Sequence, residues 1–215
     1  MRISILTDKT SWLRDHLEEF VNYVRSQGHE CYVYEKLSDD IEGDIAFFLS
    51  YFHIVSAQNL KQHKNNLVVH ASDLPAGRGW SPLTWQIVEG KNEIVVTLFE
   101  ASKDVDSGDI YIKKVVNFCG DELIDELRNE ISKITFDMCK IFLDEYPIIL
   151  KSAQKQVGDA SFYRRRSIKD SELSVNKTIS EQFNLLRVVD NESYPAWFEI
   201  MGCKYRIKID KINEK

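Results

Sequence analysis

The chain reads as an α/β protein: an open, twisted, mostly parallel sheet with helices on both faces, followed by a small C-terminal helix and β-hairpin. Three observations predict it. Short apolar stretches rich in β-branched residues recur through the first 150 residues, stretches with helical spacing lie between them, and glycines or polar turns mark each change of period. On this reading residues 1–150 form the core, and residues 151–215 a small subdomain of linker, helix and strand pair. A length of 215 residues suits one full core with an appendage, not two large domains.

The elements follow in order. Arg2-Ile-Ser-Ile-Leu6 is a short buried strand stopped by Thr7, Asp8 and Lys9. Thr10 or Ser11 can cap the next helix, because a hydroxyl there accepts from free backbone N–H groups. Leu13, Leu17, Phe20, Val21 and Val24 then repeat at helical spacing until Gly28. Cys31 to Tyr34 and Asp44 to Ser50 are the second and third strands, and Asn66 to His70 a fourth that ends on a histidine. Ser81-Pro82 opens a short helix, with proline where its missing N–H costs nothing, and Gly90 closes it. Ile94 to Phe99 and Ile110 to Val116 are strands. A long helix covers Asp121 to Tyr146, with Leu123, Leu127, Ile131, Ile134 and Met138 as its core stripe and acidic residues in its first turn. Beyond a polar stretch from Gly158 to Ser174, a helix is expected over Thr178 to Val188 and a strand pair over Ala196 to Ile209.

Charge narrows the partners. The net charge is -6, so no global field attracts a polyanion, and nucleic acid is not an expected partner. The charge is uneven. Residues 151–215 hold 13 Lys and Arg against 9 Asp and Glu, a net +4, which leaves -10 for the front and points to an anionic ligand near the tail. Cys31, Cys119, Cys139 and Cys203 are far apart and form no CxxC, so they read as reduced thiols. There is no HxH, HExxH or Cys/His spacing, and no metal is expected. No apolar run approaches a membrane span, and the N-terminal one is too short for a signal peptide, so the expected location is cytoplasmic.

Two clusters carry chemistry. The first runs from His70 through Ser72, Leu74, Pro75, Gly77, Arg78, Gly79 and Trp80 to Pro82. A histidine at the carboxyl end of a buried strand, followed by a Gly-rich loop, sits where open α/β sheets place ligands. Imidazole titrates near neutrality and serves as a general base, although a satisfied strand-end histidine has the same signature. The second cluster is Asp104-Val105-Asp106-Ser107-Gly108-Asp109. Its composition equally describes a tight turn, and it lacks the spacing of a calcium loop. With no GxGxxG after the first strand and no GxxxxGK[ST], the usual phosphate cradles are missing. Arg164 to Arg166 can clamp a diphosphate through bidentate hydrogen bonds, or can form a solvated loop.

Together the clusters resemble the N10-formyltetrahydrofolate-dependent formyltransferase family. Its members carry Asn-x-His at a strand end, a Ser-Leu-Leu-Pro loop, Arg-Gly and Pro, and later an Asp-Ser/Thr-Gly-Asp turn. The matching residues are Val68-Val69-His70, Ser72-Asp73-Leu74-Pro75, Arg78-Gly79, Pro82 and Asp106-Ser107-Gly108-Asp109. The resemblance implies a Rossmann-like formyltransferase core and an N-formyltransferase that uses N10-formyltetrahydrofolate without a metal. His70 would be the catalytic histidine and Asp106 its acidic partner. Folate would lie along Ser50, Tyr51 and Phe52 and the turn at Asp104 and Val105. One position departs: the family Asn is Val68 here, and valine cannot donate to an oxyanion. In comparable acyl transfers one such donor is worth about 3–4 kcal/mol, so another group replaces it or activity is lower.

The acceptor amine is read the same way. Methionyl-tRNA formyltransferases carry a further C-terminal barrel, for which too few residues follow position 150, and glycinamide ribonucleotide formyltransferases lack such a tail. The tail resembles that of sugar N-formyltransferases, and the Val-Val-His variant looks like that of the pseudaminic acid type. This implies a nucleotide-linked amino sugar, UDP-linked with a 4-amino group, held by Arg78, Gly79, Trp80, Tyr163, Arg164 and Arg165. Methionyl-tRNA, glycinamide ribonucleotide and a folate-binding relative without turnover remain the alternatives. The aromatic tail also suits a homodimer.

Overall fold

The structure, a computed structural model, describes residues 1–38 and 40–212. Six strands form the central sheet. Their order is β2 (Glu30–Tyr34), β1 (Arg2–Leu6), β3 (Gly43–Phe48), β4 (His63–His70), β6 (Glu93–Glu100) and β7 (Ile110–Asn117). The first four run parallel, whereas β6 is antiparallel to β4 and β7 to β6. The sheet is mostly parallel, as its apolar, β-branched strands predict.

Alternation along the strands decides what covers each face. Ile3, Ile5, Ile45, Phe47 and Leu67 share one cluster with Leu17, Phe20 and Val24 of α1 (Arg14–Ser26). Ile87 of α2 (Pro82–Val88) and Leu127, Ile131 and Phe142 of α3 (Ile124–Asp144) join the same cluster. Phe20 meets Phe47 edge-on with ring centres 5.7 Å apart. Burying each such ring stabilises the fold by roughly 1.5–3 kcal/mol. Leu6, Ala46 and Phe48 point the other way, beneath Leu37, Tyr51 and Val55. The helices are therefore unevenly shared: the second face is covered mainly by loops, with a 3-10 turn at Asn59–Gln62 between β3 and β4.

Helix ends differ in detail from the sequence reading. α1 starts at Arg14, and Ser11 Oγ accepts from the Leu13 N–H at 3.2 Å just ahead of it. α3 starts at Ile124, because Glu122 is spent on the N–H groups of Cys119 and Gly120 and Glu126 accepts from the Leu123 N–H at 2.8 Å. The single helix expected over Thr178 to Val188 is a 3-10 turn, Ser180–Gln182, and then α4 (Phe183–Arg187). Gln182 breaks the run, since its amide donates to the carbonyls of Ser174, Lys177 and Thr178.

The tail is anchored at several points. A parallel pair that the sequence did not signal joins β5 (Arg78–Gly79) to β8 (Phe162–Tyr163). Arg187, with no exposed surface, donates to Glu122, Asn92 and Asn184. Arg128 of α3 reaches Asp190 at 2.7 Å. The expected strand pair is β9 (Ala196–Ile200) with antiparallel β10 (Cys203–Ile207). Among the described residues, no helix is long and apolar enough to cross a membrane.

Candidate active site

A cleft of about 400 Å³ runs along the carboxyl ends of β3 and β4. Parallel strands leave this end free for loops, and open α/β sheets bind ligands there. The walls are largely apolar and aromatic with a few polar groups, and the volume falls in the range of small-molecule sites.

His70 closes β4, is 8% exposed, and lines this cleft. Its Nε2 lies 2.9 Å from the Gly77 carbonyl oxygen. A carbonyl only accepts, so Nε2 carries a hydrogen and, in the neutral ring, Nδ1 is the acceptor. Asp106 Oδ2 stands 3.8 Å from Nε2 and accepts from the Gly79 N–H at 2.8 Å. The two groups are 36 residues apart in the chain and meet through the fold.

The turn after β6 doubles back to make this meeting. Asp106 is left-handed (φ 51°), a conformation that Asp adopts more readily than most residues. A Cβ on Gly108 would lie 1.7 Å from the Glu100 carbonyl oxygen, so only glycine permits the close approach. Ser107 Oγ donates to the Asp104 carbonyl at 2.9 Å, and Gln156 Nε2 donates to the carbonyls of Asp106 and Gly108. Below the turn, Glu100 accepts from the Asn66 N–H, from Asn65 and from the Tyr111 hydroxyl. Burial pushes its carboxyl above the usual range, although those hydrogen bonds oppose the shift.

Ser50, Tyr51, Phe52, Asp104 and Val105, the residues expected at folate, all line the cleft. Gly79 and Trp80 line it too, and Trp80 stacks on Phe52 with ring centres 6.3 Å apart. The other residues expected at the sugar, Arg78, Tyr163, Arg164 and Arg165, are not among those lining the cleft. The Arg165 guanidinium lies 5.0 Å from the Trp80 ring centre, and Arg78 donates to Gln156 Oε1 at 2.6 Å. Tyr163 donates to Glu89, and Arg164 forms a two-pronged pair with Asp170 while covering Trp85. Arg166 is buried on the Val188 carbonyl and Ser171.

Val68, in the family Asn position, is on the cleft wall. Asn66 does not stand in for it, because its amide already donates to the carbonyls of Leu60 and His63. Trp12, Arg128 and Thr135 also line the cleft and carried no signal in the sequence. Trp12 and Thr135 look like ordinary helix residues, and Arg128 like a solvated charge.

The family model described as "Formyl transferase" matches residues 3–138. A curated methionyl-tRNA formyltransferase of Mycoplasma capricolum subsp. capricolum is 24% identical over 182 residues, which is 84% of this chain and 57% of that protein. The chain thus spans little more than half of that relative. A methionyl-tRNA formyltransferase structure from Clostridium thermocellum superposes with a TM-score of 0.83 at 24% identity, over 99% of this chain and 94% of that one. A sugar N-formyltransferase structure from Shewanella sp FDAARGOS_354 gives 0.74 at 15% identity, over 100% and 99%. The formyltransferase PseJ from Anoxybacillus kamchatkensis, in complex with UDP-4,6-dideoxy-4-formamido-L-AltNAc and tetrahydrofolate, gives 0.55 at 22% identity, over 77% and 86%. At these identities the structural likenesses show the fold.

Proposed function

The chain belongs to the formyltransferase family, and from that premise we propose that it transfers a formyl group from N10-formyltetrahydrofolate to the amino group of a nucleotide-linked amino-deoxy sugar. The observation that carries this reading is the approach of His70 to Asp106, 3.8 Å apart, on the wall of a cleft. Acyl transfer to an amine needs one group to take the amine proton and one to steady the charge that develops.

N10-formyltetrahydrofolate, when bound, supplies the formyl carbon. The residues present fit it: aromatic side chains and a main-chain rim at Ser50 to Phe52 and Asp104 to Val105 suit a flat, polar heterocycle. His70 takes the amine proton at Nδ1 as the amine adds to the formyl carbon, since Nε2 already holds a hydrogen toward Gly77. Asp106 then faces a cationic ring and favours it, with Oδ2 held in place by the Gly79 N–H. With Val68 unable to donate, the imidazolium on this wall offers its charge to the oxyanion. His70 then gives the proton to the departing folate nitrogen as the old carbon–nitrogen bond breaks.

The sugar acceptor is supported by the basic tail, by Trp80 stacked on Phe52 in the cleft with Arg165 beside the Trp80 ring, and by the likeness of the whole fold to a sugar N-formyltransferase structure. A nucleobase stacks on such rings, and Arg165 and Arg78 offer charge to a diphosphate. The finer reading is a UDP-linked 4-amino-4,6-dideoxy sugar, with the protein acting in the cytoplasm and as a homodimer. Methionyl-tRNA is the second reading, favoured by the curated relative and the Clostridium thermocellum structure. Incubation with N10-formyltetrahydrofolate and UDP- or dTDP-amino sugars is expected to give a formylated sugar by mass spectrometry. Formylation of methionyl-tRNA alone in a parallel reaction would overturn the sugar reading.

A further inference from the structure

The segment 154–163 lies beyond the part of the chain matched by the family model, yet it touches both halves of the site. Its first residue pairs its backbone with Ile110 in both directions, at 2.7 and 2.9 Å, where β7 begins. At its far end the carbonyls of Ser161 and Tyr163 accept from the N–H groups of Arg78 and Trp80. Between these anchors Gln156 is the only side chain from 151 to 162 that is not exposed.

Gln156 uses every polar atom of its amide. Both hydrogens of Nε2 are donated at 2.9 Å, one to the Asp106 carbonyl and one to the Gly108 carbonyl, while Oε1 accepts from Arg78 at 2.6 Å. One side chain thus ties the turn after β6 to the loop after β4. Asp106 is left-handed, a conformation an L-residue keeps only when its neighbours hold it, and the Gln156 bond grips its own carbonyl. Ser161 acts on the other half. Its Oγ accepts from the Gly77 N–H at 2.9 Å, and the Gly77 carbonyl accepts from His70 Nε2.

We propose that segment 154–163 is a strap that aims His70 and Asp106 at each other, with Gln156 the positioning residue for Asp106 and Ser161 the positioning residue for His70. The strap contributes almost nothing to the core: its residues are largely exposed, and the side-chain contacts of Gln156 and Ser161 fall on the turn after β6 and the loop after β4. Loss of these contacts therefore loosens the aim of the site more than the stability of the fold. The inference rests on His70 and Asp106 being the reacting groups.

The test uses the full chain with Gln156→Met, which keeps length and bulk but removes three hydrogen bonds, and Ser161→Ala. Gln156→Met is expected to lower kcat roughly 10- to 100-fold, since small misplacements of reacting groups cost that much. The KM for N10-formyltetrahydrofolate should stay within about twofold, the pattern for an interaction felt only in the transition state. Exchange of the Gly79 amide, which Asp106 holds, should accelerate in the same variant with the melting temperature little changed. Gln156→Glu keeps the acceptor toward Arg78 but sets an oxygen against two carbonyls, so it should do no better. Wild-type kcat in Gln156→Met, or a loss shared equally by kcat, KM and melting temperature, would overturn the strap. If the wild type formylates nothing, the site reading fails by itself; Gly79 exchange then judges the strap, unchanged exchange in Gln156→Met sinking it.

Discussion

Two buried couples join distant parts of the chain, and they are built differently. Arg187, without exposed surface, donates to the Glu122 carbonyl, the Glu122 carboxylate, Asn92 and Asn184. His70 and Asp106 stand 3.8 Å apart, too far for a hydrogen bond, with Nδ1 free of any partner among the described residues. A saturated pair fixes one arrangement. An unsaturated pair beside a cleft keeps hydrogen-bonding capacity for something that arrives, which is the physical signature that separates a site from a latch.

Each couple can be disrupted on its own. The largest effect is expected at the open one: His70→Ala and Asp106→Ala should each reduce formyl transfer roughly 10²- to 10⁴-fold, the range for a lost acid–base group, with the melting temperature nearly intact. Wild-type rates in both would remove the site. At the saturated couple, Arg187→Ala should cost about 3–5 kcal/mol in a urea titration, because it removes a fully buried guanidinium and breaks four contacts at once. A small loss there would mean that the tail is held by its other anchors, the β5–β8 pair, the Arg128–Asp190 pair and its apolar contacts.

Smaller effects sharpen the contrast. Gly108→Ala forces a methyl against the Glu100 carbonyl, so the turn must move. A fall in kcat of about 10- to 100-fold is expected, read beside an unchanged circular dichroism spectrum. The mildest effect is acid sensitivity at the latch. Burial raises the Glu122 carboxyl, but the N–H groups of Cys119, Glu122 itself and Gly120 and the Arg187 charge outweigh it, and the net shift is downward. A carboxylate depressed in the folded state adds stability above its ordinary value, and that increment disappears as pH falls through the folded value. Urea midpoints should therefore drop below about pH 4, and less steeply in Arg187→Ala.

Much of this architecture was legible in the residues. Strands ending at Leu6 and on His70 follow from short apolar runs broken by polar turns, and α1 and α3 from their apolar stripes; the third strand, expected to run to Ser50, stops at Phe48. His70 and Asp106 were legible only as a pair, since each motif alone also describes ordinary structure. The tail was read more coarsely. Its split helix depends on side-chain bonds of Gln182 to three carbonyls, which no period encodes. Gln156 gave no signal because a glutamine in a polar stretch looks solvated; only the folded chain shows both of its amide hydrogens meeting carbonyls of the Asp106 turn. Arg128 was hidden likewise, its partner Asp190 lying in a segment far along the chain.

Gly108 rests on the Glu100 carbonyl, and Gly79 lies against the Tyr163 carbonyl, where an added Cβ would be 2.5 Å away. In both places the spacing is gauged by one stretch of main chain lying on another, with no side chain as a shim. Neighbouring side chains can then be exchanged without lengthening or shortening the gap. A cleft calibrated in this manner tolerates wide drift in the residues around it, provided two hydrogens are never replaced by anything larger.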